Sequence, residues 1–419
     1  MYQYSKQLSV FAFIFSNIIE YYDTAVVAYS LGMFIDYFLH ESITQEPMQF
    51  LSMVIALSSM LGLIFSFISA YIIDNYGSKI AIRLSSFSLG LPTLCLGFLP
   101  SVDSLGIYSS YIFIVALSLS FFVKGSCHKS VALYIQQALG KGKPHTANGI
   151  LWVSSCLGAY VGILLCQYCI DDGNSASITW RIPLIIGGTT TILLSYIQRY
   201  AYDTLSDVNK VSISVYIKKM RSNIWRNLQL IFLGLVVYGS VGACYALYIK
   251  IDPIYMSEIA SFASYEDTAL MISYRTAFFI LFAPLAGFIA DYTSAFTVII
   301  LGTIGSIISL LLHIYTIEFI YTFPIFLQII TSLSFAMLYI PIYRILFISF
   351  DSKDRILAIT IISTLGTALI TGSALYVVTK MYHYTSLDSS LMIYSLCLTL
   401  IIAMIMIPLS FNKRKWQEP

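Results

Sequence analysis

The sequence predicts an all-α integral membrane protein of twelve transmembrane helices in two six-helix halves, and three observations predict it. Hydrophobic residues fill 58% of the 419 positions and charged residues only 11%, under half of the roughly 25% that a soluble domain carries; the mean hydropathy is +0.81. The apolar residues form long continuous runs that suit the ~20 residues of a spanning helix, not the ~10-residue alternation of a barrel strand. The basic residues gather in alternate loops, and the longest polar stretch falls midway along the chain.

Twelve apolar segments follow one another at 9–35, 50–73, 80–99, 107–134, 147–170, 180–200, 227–249, 268–290, 295–315, 321–347, 356–379 and 388–410. The first follows Lys6 without a small-residue cleavage site, so it reads as an uncleaved span. Residues 201–226 carry Lys210, Lys218, Lys219, Arg221 and Arg226. They separate an N-terminal half, 1–200, from a C-terminal half, 227–419. With both termini cytoplasmic, the inner segments hold 17 of the 23 Lys and Arg residues, while Asp36, Glu41, Asp103, Asp171, Asp172, Asp252 and Glu266 fall in the opposite loops. That is the positive-inside pattern. Trp180, Trp225 and Trp416 sit at span ends. Trp180 is expected in the headgroup layer, with Arg181 reaching water or Asp171 and Asp172; both are expected to be structural. A weak repeat supports two parallel halves: Ala70-Tyr-Ile-Ile-Asp74 closes the second segment and Gly287-Phe-Ile-Ala-Asp291 the eighth.

Several function classes drop out. The net charge is +2, with no basic stripe or RNA-reading aromatic motif, so nucleic-acid binding is set aside. The seven cysteines lie mostly in apolar runs and read as small buried side chains; Cys166 and Cys169 form a lone C-x-x-C without a redox context. His40, His128, His145, His313 and His383 are scattered and form no metal-ligand pair. Gly140-Lys-Gly-Lys143 has Pro144 where a phosphate loop needs Ser or Thr, so it reads as a basic cytoplasmic loop. No catalytic residue, metal or cofactor is expected.

The chemistry that remains lies inside the spans. An ionised side chain at mid-span costs about 2.5–3.5 kcal/mol on insertion scales, so it should face a cavity or a partner. Glu20 and Asp23 lie roughly 17–21 Å into a core about 30 Å thick. Their i, i+3 spacing puts them on one helix face with Asn17. Two carboxylates so close in a low dielectric do not easily both stay ionised, which suits one of them to carry a proton; a structural pair with a neighbouring cation is the other reading. Lys124, with His128 one turn on, and Arg275 are candidates to hold a substrate carboxylate, or to serve as counter-ions of Glu20 or Asp23. The sequence leaves these readings equal. Tyr21, Tyr22, Tyr29, Tyr245, Tyr339 and Tyr343 could line a cavity, where aromatic faces suit a quaternary ammonium. Pro183, Pro284 and Pro341 can each break or kink a span.

Span 1 reads Asn17-Ile-Ile-Glu20-Tyr21-Tyr22-Asp23. It resembles the N-x-x-E-aromatic-aromatic-D signature of the metabolite:proton symporter family, a branch of the major facilitator superfamily. Trp180-Arg181-Ile182-Pro183 with Arg199 and Asp203-Thr204 resembles the family's W-R-I-P run, Pro284-Leu-Ala-Gly287 with Asp291 its P-L-x-G-x-x-x-D, and Phe350 with Arg355 its F-P-x-x-x-R element. The chain departs from the pattern at Ala70 for Gly, at Ser78 for Arg, at Tyr292-Thr293-Ser294, and in span 4, which has Lys124, Gly125, His128 and Lys129. The resemblance implies a major facilitator fold and proton-coupled symport of a small carboxylate-bearing solute, a proline- or betaine-like osmolyte or a dicarboxylate. The site would lie near the bilayer midplane. It implies Glu20 and Asp23 as proton-coupling residues; the substrate-contact candidates are Asn17 and Tyr22 of the same signature and, from their own place and chemistry in the spans, Lys124, His128, Arg275 and Tyr339. Asp74, Gly77, Lys79, Gly287, Asp291 and Arg355 become gate residues. The partners implied are a small solute, protons and the lipid bilayer, for a monomer in a bacterial inner membrane. A passive facilitator or channel, a diverged carrier without proton coupling and, more remotely, a membrane enzyme are the rival classes.

Overall fold

In lipid every backbone N–H and C=O must be satisfied within its own segment, so apolar runs of this length fold as helices. The computed structural model describes residues 6–44, 47–139, 142–170, 178–202, 212–248, 265–315, 324–350, 355–386 and 389–411. The regular elements among the described residues are helical. In the first part of the chain they are α1 (Lys6–Tyr29), α2 (Leu31–Phe38), α3 (Pro47–Tyr76), α4 (Ser78–Phe98), α5 (Val102–Leu105), α6 (Ile107–Leu139), α7 (Pro144–Ile170) and α8 (Ile182–Ile197). There follow α9 (Ile213–Arg226), α10 (Leu228–Ala246), α11 (Tyr265–Tyr292), α12 (Ala295–Tyr315), α13 (Pro324–Ile348), α14 (Arg355–Gly366), α15 (Ala374–Thr385) and α16 (Ser390–Phe411). Among the described residues ten helices are long and apolar enough to cross a membrane, and two shorter apolar stretches, Ile107–Val123 and Ser390–Met406, join them. The twelve segments of the sequence are thereby accounted for. Their outer faces stay apolar: α3 exposes Leu57, Leu61, Ile64 and Ile68, and α12 exposes Leu301, Ile304, Ile308 and Leu311. Such three- and four-residue spacing is that of a lipid-facing stripe.

Four sequence expectations need correction. The first segment is not one helix, because the chain turns at Ser30 and restarts as α2. The restart lets Phe34 and Phe38 pack on Phe113 and Trp180. Pro183 does not kink a span; it sits in the first turn of α8, where a missing N–H costs nothing. Pro284 and Pro341 do lie inside helices, α11 and α13. Trp180 does not present its ring to lipid headgroups: it is 2% exposed, walled by Phe34, Tyr37 and Phe38. Arg181 donates to the carbonyls of Gly97 and Leu99 and lies 4.9 Å from the Trp180 ring. An aromatic pocket supplied by α2 outweighs the interfacial preference of indole. Asp171 and Asp172 lie outside the described residues. The eleventh segment is also interrupted, by a wide turn at Thr367–Thr371 where the Gly372 N–H reaches the Thr367 carbonyl at 2.8 Å, a π-type insertion.

The chain divides into two compact units, residues 1–138 with 154–216, and residues 139–153 with 217–419. In the first, α7 presents Gly158 and Gly162 to α1. A Cβ at Gly158 would overlap the backbone of Ile18, and one at Gly162 would come within 2.9 Å of the Tyr22 carbonyl oxygen. Small residues one turn apart allow this backbone approach. In the second unit α12 and α13 pack closely around Val298, Ile299, Ala336 and Leu338, all fully buried.

Candidate functional site

α1 carries three buried polar residues, Asn17 at 0%, Glu20 at 4% and Asp23 at 0% exposure. Their surroundings in the first unit are hydroxyl-rich. The Asn17 amide donates to Ser154 Oγ and Ser155 Oγ of α7, both at 2.8 Å. Thr191 of α8 donates its hydroxyl to Asp23 Oδ2 at 2.7 Å. Gly187, one turn earlier on α8, makes room for the carboxylate, since a Cβ there would overlap Asp23 Oδ1. Tyr22 turns its hydroxyl to the Pro183 carbonyl at 2.9 Å, so it braces α1 against the start of α8. Just before Asn17 on α1, Ser16 Oγ accepts from the Gln198 amide at 2.8 Å, which also reaches Ser86 Oγ of α4 at 3.4 Å.

The second unit holds the opposite charge. Arg275 on α11 is 1% exposed. Its Nε donates to Gln328 Oε1 at 2.6 Å, one terminal nitrogen donates to the Tyr248 carbonyl at 2.9 Å, and the guanidinium lies 4.4 Å from the Tyr248 ring. Tyr248 in turn donates its hydroxyl to Gln328 Oε1 at 2.9 Å. Tyr339 belongs to a separate aromatic group: its ring is 4.6 Å from Trp152 and 5.4 Å from Tyr245, and Tyr245 is 5.2 Å from Phe279.

The turn residues find distinct partners. Asp74 accepts the Tyr216 hydroxyl of α9 at 3.0 Å. Burial, and then the Asp74 charge, push the Tyr216 phenol far above its ordinary range. Gly77, at φ +89°, takes a conformation that strains other residues. It caps α4, and Lys79 follows in the first turn. Asp291 caps α7 from a distance: Oδ1 accepts the His145 N–H at 2.9 Å, and Oδ2 accepts the Thr146 N–H at 2.8 Å and its hydroxyl at 2.6 Å. A carboxylate there satisfies orphan donors and complements the helix dipole. Gly287 lets α11 approach, since a Cβ would overlap the His145 carbonyl. Arg355 donates to the Phe350 carbonyl at 3.2 Å and stacks 4.4 Å from the Phe347 ring.

The structure therefore brings Asn17, Glu20, Tyr22 and Asp23 together in the first unit, and places Arg275 and Tyr339 in two different clusters of the second. Lys124 and His128 are on α6, with side chains outside the described residues. Sequence reasoning missed Thr191, Gln198, Trp152 and Gln328. The two amides had a usable signal, because a polar side chain inside a span is as conspicuous as a charge. Trp152 had a fainter one, as a tryptophan away from a span end.

No protein-family model matches the chain. It is similar to a putative proline/betaine transporter of Staphylococcus haemolyticus, 24% identical over 310 residues, 71% of this chain and 64% of the relative. It is also similar to the proline/betaine transporter of Escherichia coli K12, 22% identical over 253 residues, 55% of this chain and 49% of the relative. The matched regions thus span between half and two thirds of these relatives. Among solved structures, a major facilitator proton:xylose symporter superposes with a TM-score of 0.71 at 14% identity, covering 96% of this chain and 94% of that one. The E. coli fucose:proton symporter gives 0.70 at 14%, covering 99% and 100%. Both show the fold. The relatives and structural neighbours are carriers, not enzymes.

Proposed function

For a multi-pass membrane protein with the major facilitator fold, we propose proton-coupled symport of a small zwitterion of the proline or betaine kind. The carrying observation is the buried acidic face of α1. Glu20 and Asp23 lie buried in the middle of a span, Asp23 against the Thr191 hydroxyl, and a hydroxyl can either donate or accept. Such a shell serves a carboxyl group in both protonation states, which a proton carrier requires. The names of the relatives support transport of such a solute.

The aromatic group of Trp152, Tyr245 and Tyr339 supports a zwitterion over a dicarboxylate. Aromatic faces attract a desolvated alkylammonium by about 2 kcal/mol, while the Arg275 guanidinium is already engaged by Gln328 and Tyr248. On this reading Glu20 or Asp23 holds the proton, the aromatic group holds the ammonium, and Asp74 and Asp291 work at helix ends that part and re-form. The chain sits in a bacterial inner membrane with both termini cytoplasmic, so an impermeant reagent should label a cysteine at Ser42 from outside the cell and not one in 201–226.

Uptake of labelled betaine, proline and α-ketoglutarate into proteoliposomes, with and without an imposed proton gradient, tests the proposal. Betaine or proline should accumulate only with the gradient. Flux indifferent to pH would favour a passive facilitator, and accumulation of α-ketoglutarate alone would overturn the zwitterion.

A further inference from the structure

The helix α9 carries none of the proposed proton or solute contacts, and its residues are arranged for a surface. Over Ile213–Arg226 the apolar positions Ile213, Tyr216, Ile217 and Ile224 recur at i, i+3, i+4 and i+11, which makes one stripe. The stripe is only partly covered by protein. Tyr216 is buried, its ring 5.2 Å from that of Tyr71 and its hydroxyl on Asp74, yet Ile213 is 61% and Ile217 54% exposed. Lys218, Arg221 and Arg226 are exposed off the stripe, and the helix has no acidic residue. Trp225, 69% exposed, stands near its end.

Both ends of α9 are fixed near span ends. Tyr216 is bonded to Asp74, two residues before the end of the span Met53–Tyr76, and Arg226 is followed after Asn227 by the span Leu228–Ala246. A helix of ~21 Å tethered in this way stays near the leaflet surface.

We propose that α9 is an in-plane helix that docks on the anionic phospholipid leaflet, its Ile213–Ile217 edge in the acyl boundary and its cations on the headgroup phosphates. The charge complementarity selects an anionic leaflet over a neutral one. Each Lys or Arg near such a surface contributes about 1 kcal/mol, roughly fivefold in the docked-to-free ratio. Trp225 fits the headgroup level. The docked helix would hold Tyr216 on Asp74, so lipid charge would bear on a turn residue of the carrier.

The test uses the full chain in nanodiscs of phosphatidylcholine alone or with one third phosphatidylglycerol. An environment-sensitive fluorophore is placed at Ile217→Cys in a background without other cysteines. The emission should shift to the blue, and become quenchable by a shallow lipid-borne nitroxide, in the anionic discs. Lys218→Ala, Arg221→Ala and Arg226→Ala should each lower the docked fraction by roughly fivefold in ratio, and added salt should do the same. Identical emission in neutral and anionic discs would overturn the proposal, whether the probe is then wet or buried against protein. So would blue emission that the lipid nitroxide does not quench, because another chain would then cover the stripe. If the cysteine-free background does not fold, radical footprinting of Ile217 and Trp225 in the unmodified chain reads the same exposure: protection that appears only in anionic discs supports docking, and its absence overturns it.

Discussion

Asp23 in the first unit and Arg275 in the second are charged residues almost wholly withdrawn from solvent, at 0% and 1% exposure, yet their neighbours differ in kind. Asp23 meets the Thr191 hydroxyl, a group that can also turn and accept. Arg275 meets the Gln328 amide oxygen and the Tyr248 carbonyl, which only accept. A shell of pure acceptors suits a cation that never gives up its proton. A shell of hydroxyls suits an acid that takes one up and releases it. The difference teaches that buried charge alone does not mark a coupling site. What its neighbours can do in each protonation state is the better guide.

The largest effect should come from breaking the second shell. Arg275→Met takes a donor from the Tyr248 carbonyl and one of two donors from Gln328 Oε1, at about 1–3 kcal/mol for a buried acceptor left unsatisfied, so the folded yield and melting temperature in detergent should fall. Adding Gln328→Leu should restore part of the loss. If Arg275→Met instead melts like the parent and loses only substrate affinity, the guanidinium is a ligand-binding group and the contrast with Asp23 fails.

Thr191→Val sharpens the other side. It removes the donor to Asp23 and keeps the shape of the side chain, at a cost of about 1.5–3 kcal/mol if the carboxylate is charged. Uptake against pH should change its midpoint by about one unit for each ~1.4 kcal/mol, while the yield stays near the parent's. An unmoved profile would mean that Thr191 serves packing alone.

Trp180→Phe loses ring-edge contacts worth about 0.5–1.5 kcal/mol each. It should lower stability and leave affinity for solute nearly intact, which a competition assay on detergent-solubilised protein would show.

The smallest effect is expected at Tyr216→Phe, about 0.5–1.5 kcal/mol for one hydrogen bond. Because folding raises the Tyr216 phenol above its ordinary value of 10.0, its contribution is whole below about pH 10 and is lost as the pH climbs above that. Parent and variant should therefore differ in melting temperature at pH 8 and converge in strong alkali. A gap that persists or widens there would contradict the bond to Asp74.

The spans were legible because hydropathy is a local property: the twelve apolar runs fall on the helices of the fold. The shared face of Asn17, Glu20 and Asp23 was legible for the same reason, from the period of one helix. Partners were not. Thr191 is 168 residues from Asp23 and Gln328 is 53 from Arg275, and no local pattern joins them. Trp180 misled because an indole at a span end usually anchors at the interface, whereas here the break at Ser30 swings α2 round to cover it. The cap that Asp291 places on α7 was hidden too, since nothing in Pro144-His145-Thr146 names a carboxylate 145 residues away.

The central claim is that the acidic face of α1 carries the coupling proton. Glu20→Gln and Asp23→Asn each keep shape and remove titration, so the deciding measurement sets gradient-driven uptake beside exchange of labelled for unlabelled solute, both normalised to folded protein. The account predicts that at least one variant loses gradient-driven uptake by an order of magnitude or more while exchange persists, because a permanently neutral site can still alternate with solute bound. If both variants accumulate solute against a gradient like the parent, neither residue couples the proton and the proposed mechanism is wrong.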